Sequence, residues 1–223
     1  MLKELIESFE DTIKFNDFFE YLGFVDAKNE ILSSPGRIIF LLGEPGSGKS
    51  YLLSYLKYEN PDKYLLIESP FSRVDLKNLD RNKTILVDEA QLLSLKTLEY
   101  LRILSDKGHK LVLGMHTQIG NKVASLPHFS SRYIDKVYIR GLTFSEFQKY
   151  VMNKFIQYQK QYLISQKILR KIYKYSKGNF RMAKKIIYIG LNLLDYSISH
   201  NLSYRTFDDC ILDMSLLAIG VLK

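Results

Sequence analysis

Two rhythms of hydrophobic and polar residues run along the chain. Leu2, Leu5, Ile6, Phe9 and Ile13 recur at helical steps, which predicts helix across residues 1–32. Ser33-Ser34-Pro35-Gly36 breaks that pattern. Residues 37–42 are then a nearly continuous apolar β-run, the kind that sits inside a parallel sheet. A glycine-rich turn follows, then a helix over residues 49–58 that Asn60-Pro61 stops. Further strands are predicted at 64–67, 84–87, 110–113 and 136–139. A helix over 92–106 is closed by Lys107-Gly108. Strands that alternate with helices predict an α/β fold with a parallel five-stranded sheet. Beyond Gly141-Leu142 the β signal ends, and residues 143–223 read as three to five helices. The expected organisation is an α/β domain over 1–141, whose first 32 residues form a helical N-terminal segment, and a small all-helical domain over 142–223. No internal repeat or low-complexity segment interrupts it.

Composition narrows the class. The chain has 223 residues, 46% hydrophobic and 25% charged. A chain of this length buries roughly 70% of its unfolded surface. Wholesale disorder and collagen-like repeats are therefore excluded. The longest apolar runs, residues 38–42 and 216–222, fall far short of the ~20 residues of a spanning helix. The acidic N-terminus lacks a signal-peptide core. One cysteine, Cys210, rules out an internal disulfide framework and reads as a core residue. A cytoplasmic globular protein is the expectation.

The turn after residues 37–42 carries the first chemistry. Gly43-Glu44-Pro45-Gly46-Ser47-Gly48-Lys49-Ser50 fits G-x-x-x-x-G-K-[ST] between a strand and a helix, with Tyr51 next in the helix. Gly46 and Gly48 let backbone N–H groups face a phosphate with no Cβ in the way. The helix N-terminus adds partial positive charge. Lys49 supplies a point charge for the β- and γ-phosphates, and the Ser50 hydroxyl a Mg²⁺ ligand. Downstream, Thr84-Ile85-Leu86-Val87 ends in Asp88-Glu89. Two acids at the tip of a buried strand are destabilising unless something uses them. Asp88 suits Mg²⁺, and Glu89 suits the general base that polarises a water. A Mg²⁺-dependent triphosphatase site is predicted.

Together these segments resemble the AAA+ P-loop ATPases. The run Asp88-Glu89-Ala90-Gln91, then Leu98-Glu99-Tyr100-Leu101-Arg102-Ile103-Leu104, then Leu111-Val112-Leu113-Gly114, is most similar to the ExeA/GspA group, relatives of the transposition ATPases TniB and TnsC. The resemblance implies ATP as the nucleotide and a homo-oligomer. It implies a polar sensor after the fourth strand, His116 or Thr117. It implies an arginine finger for the γ-phosphate of a neighbouring subunit in Ser130-Ser131-Arg132-Tyr133, and a second sensor, Arg181, in Gly178-Asn179-Phe180-Arg181. It implies an accessory motor or switch for a secretion, type IV pilus or DNA-uptake machine, cytoplasmic or peripheral at the inner membrane face. Two departures stand out. The interval between Ser50 and Asp88 leaves little room for a second core helix, and Gly141 stands where the group often has proline.

Net charge is +8. Residues 147–194 hold no acid and eleven bases: Lys149, Lys154, Lys160, Lys167, Arg170, Lys171, Lys174, Lys177, Arg181, Lys184 and Lys185. The remainder of the chain is therefore at −3. Lys160, Lys167, Lys171 and Lys174 fall on one helical face, with tyrosines interleaved. Such a face suits phosphates and stacked bases, read without sequence specificity. A DNA-binding regulator of replication or transposition, similar to DnaA, Hda or TnsC, is the alternative. An ATP-gated interaction module with negligible turnover is the third. Residues 211–222 are apolar enough for a last packed helix.

Overall fold

The computed structural model describes residues 2–12, 19–71, 76, 79–80 and 82–222. The chain divides into two compact units, Phe15–Arg140 and Met1–Lys14 with Gly141–Lys223. The division at Gly141 falls where the β pattern stops. Helix α1 (Lys3–Glu7) nevertheless belongs to the second unit, although its sequence position groups it with the first. The reason is its apolar face. Leu2, Leu5, Ile6 and Phe9 are buried, and Phe9 packs edge-on against Tyr150 and beside Phe155. The predicted Ile13 lies outside the described residues.

The first unit starts with α2 (Leu22–Ser33) and β1 (Ile38–Leu42), followed by α3 (Lys49–Glu59), β2 (Tyr64–Glu68) and β3 (Thr84–Asp88). It ends with α4 (Leu95–Asp106), β4 (Leu111–Met115), α5 (Thr117–Ala124), α6 (Pro127–Ser130) and β5 (Ile134–Tyr138). The segment between β2 and β3 lies partly outside the described residues. The five strands pair in the order β2-β3-β4-β1-β5, all parallel. Strands β1 and β4 are buried along their whole length, as their unbroken apolar runs require. Ile38, Phe40, Leu42, Ile85, Val87, Leu111, Leu113 and Met115 share one face, covered by Leu98, Leu101 and Leu104 of α4 and by Phe129. Helix α3 covers β2, β3 and β4. Each buried leucine contributes about 1.5–3 kcal/mol. Helix α4 begins at Leu95 rather than at the predicted residue 92. The Ser94 side chain caps it, accepting from Thr97 N at 3.2 Å, and Ala90–Leu92 form a separate 3₁₀ turn.

The second unit adds α7 (Phe144–Gln157), α8 (Gln166–Tyr175), α9 (Phe180–Ser199) and α10 (Asp209–Ala218). Thr143 and Glu146 form a capping box at the start of α7. Asn179 and Asp208 cap α9 and α10. The apolar tail packs as the last helix, with Ile211, Leu212 and Leu216 buried. Cys210, expected in the core, is exposed, because the buried side of α10 starts one residue later. No helix among the described residues is long and apolar enough to cross a membrane.

Gly190 of α9 marks the tightest approach in this unit. A Cβ there would overlap the Phe207 ring and stand 2.9 Å from Ser215 Oγ. Phe207 is 1% exposed and has nowhere to move. Overpacking of about 1–3 kcal/mol outweighs the roughly 1 kcal/mol that alanine gains over glycine in a helix. Gly190→Ala is therefore expected to lower the Tm, measured by thermal denaturation; an unchanged or raised Tm contradicts this packing.

Candidate nucleotide site

The end of β1 turns directly into the glycine loop. Gly43 N donates to Met115 O at 3.3 Å, which ties the loop to the end of β4. Gly46 and Gly48 have φ of 74° and 101°, a region L side chains rarely adopt. A Cβ on Gly43 would overlap Ser47 Oγ and lie 2.7 Å from the Ile139 carbonyl. Tyr21, which precedes α2, donates its hydroxyl to the Ser47 carbonyl. That carbonyl is thereby held outward, so the next N–H, of Gly48, faces the other way, into the loop. Ser47 Oγ is buried and lacks a hydrogen-bond partner among the described residues. Two left-handed glycines ahead of a helix N-terminus, with an orphaned hydroxyl beside them, fit a phosphate.

Lys49 opens α3 and is 5% exposed. Its ammonium donates to the carbonyls of Gly43 at 2.8 Å and Glu44 at 3.1 Å. The charge is thus held at the mouth of the loop. Tyr51 is tied elsewhere: its hydroxyl accepts from Phe19 N at 3.0 Å, and its ring packs edge-on against Phe24. Burial pushes the Tyr51 phenol up to about 12.

Asp88 ends β3, and Ser50 of α3 hydrogen-bonds to its carboxyl. Asp88 Oδ1 also accepts from Glu89 N at 3.0 Å. Burial is the largest influence and raises the carboxyl above its usual range. The Ser50 and Glu89 bonds and the Lys49 charge oppose that rise. Ser50 and Asp88 are the pair that would hold Mg²⁺; one or two protein oxygens, with phosphates and waters, suit that ion. Gly114 of β4 lies beside Asp88 and Leu53. A Cβ there would stand 3.4 Å from Asp88 Oδ1 and 3.1 Å from Leu53 Cδ1. Gly114 and Tyr21 have roles here that sequence reasoning missed. A glycine inside the apolar run Leu111–Met115 was the available signal for Gly114. Nothing local marks Tyr21, because its partner is 26 residues away.

Glu89 follows at φ 49°, in the left-handed region, and its carboxylate accepts from Gln91 Nε2. His116 and Thr117, both half-buried, come directly after β4. Strand β4 lies between β3 and β1, so its end stands between Asp88 and the glycine loop, each about 5 Å away in strand spacing. His116 makes no capping bond at the start of α5. The structure thus brings together Lys49, Ser50, Asp88, Glu89 and the His116-Thr117 pair.

Arg132 is not part of that group. Arg132 precedes β5, at the opposite end of the parallel strands from the loop. It grips Asp106, with Nε at 3.2 Å and Nη2 at 3.1 Å, and its Nη1 donates to Ser131 Oγ at 2.8 Å. Arg102 reaches the same Asp106 at 2.6 Å. The two guanidiniums, Arg132 first, hold the Asp106 carboxyl below its ordinary range. Arg181 sits in the first turn of α9, in the second unit, and pairs with Asp11 at 3.1 Å.

No protein-family model and no curated protein sequence gives a significant match to the chain. Solved structures do. The Holliday junction branch migration motor RuvB of Thermotoga maritima aligns with a TM-score of 0.63 at 15% identity, over 94% of this chain and 73% of that one. A Walker-type ATPase of Pyrococcus abyssi gives 0.65 at 14%, over 96% and 77%. The ORC1 protein of Aeropyrum pernix, solved in complex with DNA, gives 0.67 at 10%, over 96% and 69%. The chain shares the fold of these proteins, a parallel five-stranded α/β sheet with flanking helices.

The raised Asp88 carboxyl carries a sign. A carboxyl that titrates higher in the folded chain favours folding fully below its unfolded pKa, and that advantage is lost as pH rises through the folded value. At neutral pH, without nucleotide or Mg²⁺, Asp88→Asn is therefore expected to raise the Tm. About 1 kcal/mol moves Tm by roughly 2–4 °C at this size. The gain should vanish on acidification toward pH 4, followed by thermal melts across that range.

Proposed function

We propose that the chain is a Mg²⁺-dependent AAA+ ATPase that hydrolyses ATP to ADP and phosphate. The observation that carries this reading is the meeting of the Ser50 hydroxyl, the Asp88 carboxyl and the Lys49 ammonium beside the glycine loop. Residues 43–51 bind the phosphates, with Lys49 turning from its two carbonyls to the β- and γ-oxygens. Ser50 and Asp88 would hold Mg²⁺, which would supply neutralisation of phosphate charge. Glu89 accepts the proton of a water as that water's oxygen bonds to the γ-phosphorus. The β–γ bridge then breaks, and ADP leaves with its electron pair. His116, with Thr117, contacts the γ-phosphate or the water. Arg181 acts as the second sensor.

Arg132 serves a neighbouring copy as the arginine finger. Its place at the far end of the strands supports that role, since it is remote from its own loop. The Asp106 pair does not oppose it, because exposed ion pairs are worth only about 0–1 kcal/mol and exchange readily. Within this reading, the ExeA/GspA-like segments favour an accessory motor or switch for a secretion, type IV pilus or DNA-uptake machine, at the inner face of a membrane or free in the cytoplasm.

ATP turnover against protein concentration tests the assignment. Glu89→Gln should lower the rate by roughly 10²–10³-fold. The specific rate should rise with concentration and collapse in Arg132→Ala. A rate that Glu89→Gln leaves intact overturns the base. A flat, slow rate indifferent to Arg132 leaves a nucleotide-gated interaction module instead.

A DNA-binding role is the second reading, favoured by charge. The unit Met1–Lys14 with Gly141–Lys223 has 15 Lys or Arg against 9 Asp or Glu, a net +6 of the chain's +8. The basic face is smaller than the sequence predicts. Asp209 pairs with Lys167 at 3.0 Å and Lys171 at 2.7 Å, Arg170 lies over the Phe144 ring, and Lys154 is buried. Lys149, Lys174, Lys177 and Lys185 remain exposed. Fluorescence anisotropy with duplex and single-stranded DNA, ATP present, should show affinity that falls steeply with salt. Lys174→Glu with Lys177→Glu should weaken it. Salt-insensitive or undetectable binding sinks this reading.

A further inference from the structure

Glu89 is restrained more tightly than its role as an acid at a strand tip requires. Its backbone N–H is held by Asp88 Oδ1 at 3.0 Å, and its carbonyl accepts from Leu92 N at 2.9 Å. Its φ of 49° is uncommon for a residue with a Cβ. The 3₁₀ turn Ala90–Leu92 that follows folds Gln91 back over the carboxylate. Gln91 Nε2 donates to Glu89 Oε2.

The other end of the same amide is informative. Gln91 Oε1 is buried and lacks a hydrogen-bond partner among the described residues. A buried carbonyl oxygen left unpaired is unfavourable. Turning the amide over would expose Glu89 to a carbonyl oxygen, and a carboxylate accepts only. The orientation of Gln91 is therefore set by Glu89, at the expense of its own oxygen.

We propose that Gln91 is a positioning residue for Glu89. Its amide fixes one carboxylate oxygen, Oε2, and so aims the other, Oε1, at the place where the attacking water loses its proton. This rests on Glu89 being the general base. A base mis-aimed by a fraction of an ångström loses rate while substrate binding is untouched, since the phosphates are held by other residues. Gln91 would act on kcat alone.

The test is steady-state ATP hydrolysis with Mg²⁺, at several pH values, for the full chain and for Gln91→Met, Gln91→Glu and Glu89→Gln. Affinity for a non-hydrolysable ATP analogue is measured alongside. Methionine keeps the volume and removes the donor. Gln91→Met should lower kcat by roughly 10–100-fold, with KM and analogue affinity changed less than about 2-fold. Glutamate keeps the shape. At low pH the two carboxyls of Gln91→Glu share one proton and reproduce the donated bond, whereas at higher pH both ionise and repel, with Asp88 adding to the repulsion. Gln91→Glu should therefore lose activity as pH rises through a range where the unaltered chain does not. That alkaline loss is a signature packing alone would not produce, and it decides the matter if Gln91→Met fails to fold.

An unchanged or raised kcat in Gln91→Met, or a Gln91→Glu profile parallel to that of the unaltered chain, overturns the inference. The two levels separate cleanly. If Glu89→Gln turns over ATP normally, the base assignment fails and the inference falls with it. If Glu89→Gln is inactive and Gln91→Met is not impaired, the inference alone falls.

Discussion

Parallel strands all end on the same side, and the site depends on that constraint. Because β1, β3 and β4 are hydrogen-bonded neighbours with Leu42 opposite Met115 and Val87 opposite Leu113, three separate stretches of chain finish within one narrow band. The glycine loop leaves β1 there, Asp88-Glu89 leave β3, and His116 leaves β4. A slip of one residue in any pair would turn its core face outward and its site residue away. The apolar burial of β1 and β4 thus fixes geometry as well as stability.

Charge is handled differently in the two places where it accumulates. At the site it is concentrated and partly desolvated. Lys49 is buried against carbonyls, and Asp88 is lifted by burial but steadied by Ser50, by a backbone N–H and by Lys49. Away from the site, charge is largely neutralised in exposed pairs. Asp106 gathers Arg102 and Arg132, Asp209 gathers Lys167 and Lys171, and Asp11 meets Arg181. Such pairs are individually weak. They leave Arg132 and the basic face available while setting their resting orientation.

The glycine loop, the Asp88-Glu89 tip and the five strands were legible because their signals are local. A phosphate loop needs glycines at fixed spacing within eight residues, and a buried strand needs only an unbroken apolar run. Gly114, Tyr21 and the neutralisation of Lys167 and Lys171 were not legible, because each depends on a residue far along the chain. Asp209 lies 42 residues from Lys167 and 38 from Lys171.

The sequence by itself therefore determined the candidate chemistry: a glycine loop of phosphate-binding pattern, a hydroxyl and an acid suited to a metal ion, a candidate base, and an α/β frame to carry them. Local periodicity and spacing are enough for that. Only the tertiary structure decided which groups meet. It set Ser50 against Asp88, packed Gly114 close to Leu53, and placed Tyr21 behind the Ser47 peptide. It turned Gln91 onto Glu89 and drew α1 to the C-terminal unit. Those outcomes come from strand register and side-chain packing between distant segments, where free energy depends on three-dimensional fit and not on neighbours in the chain.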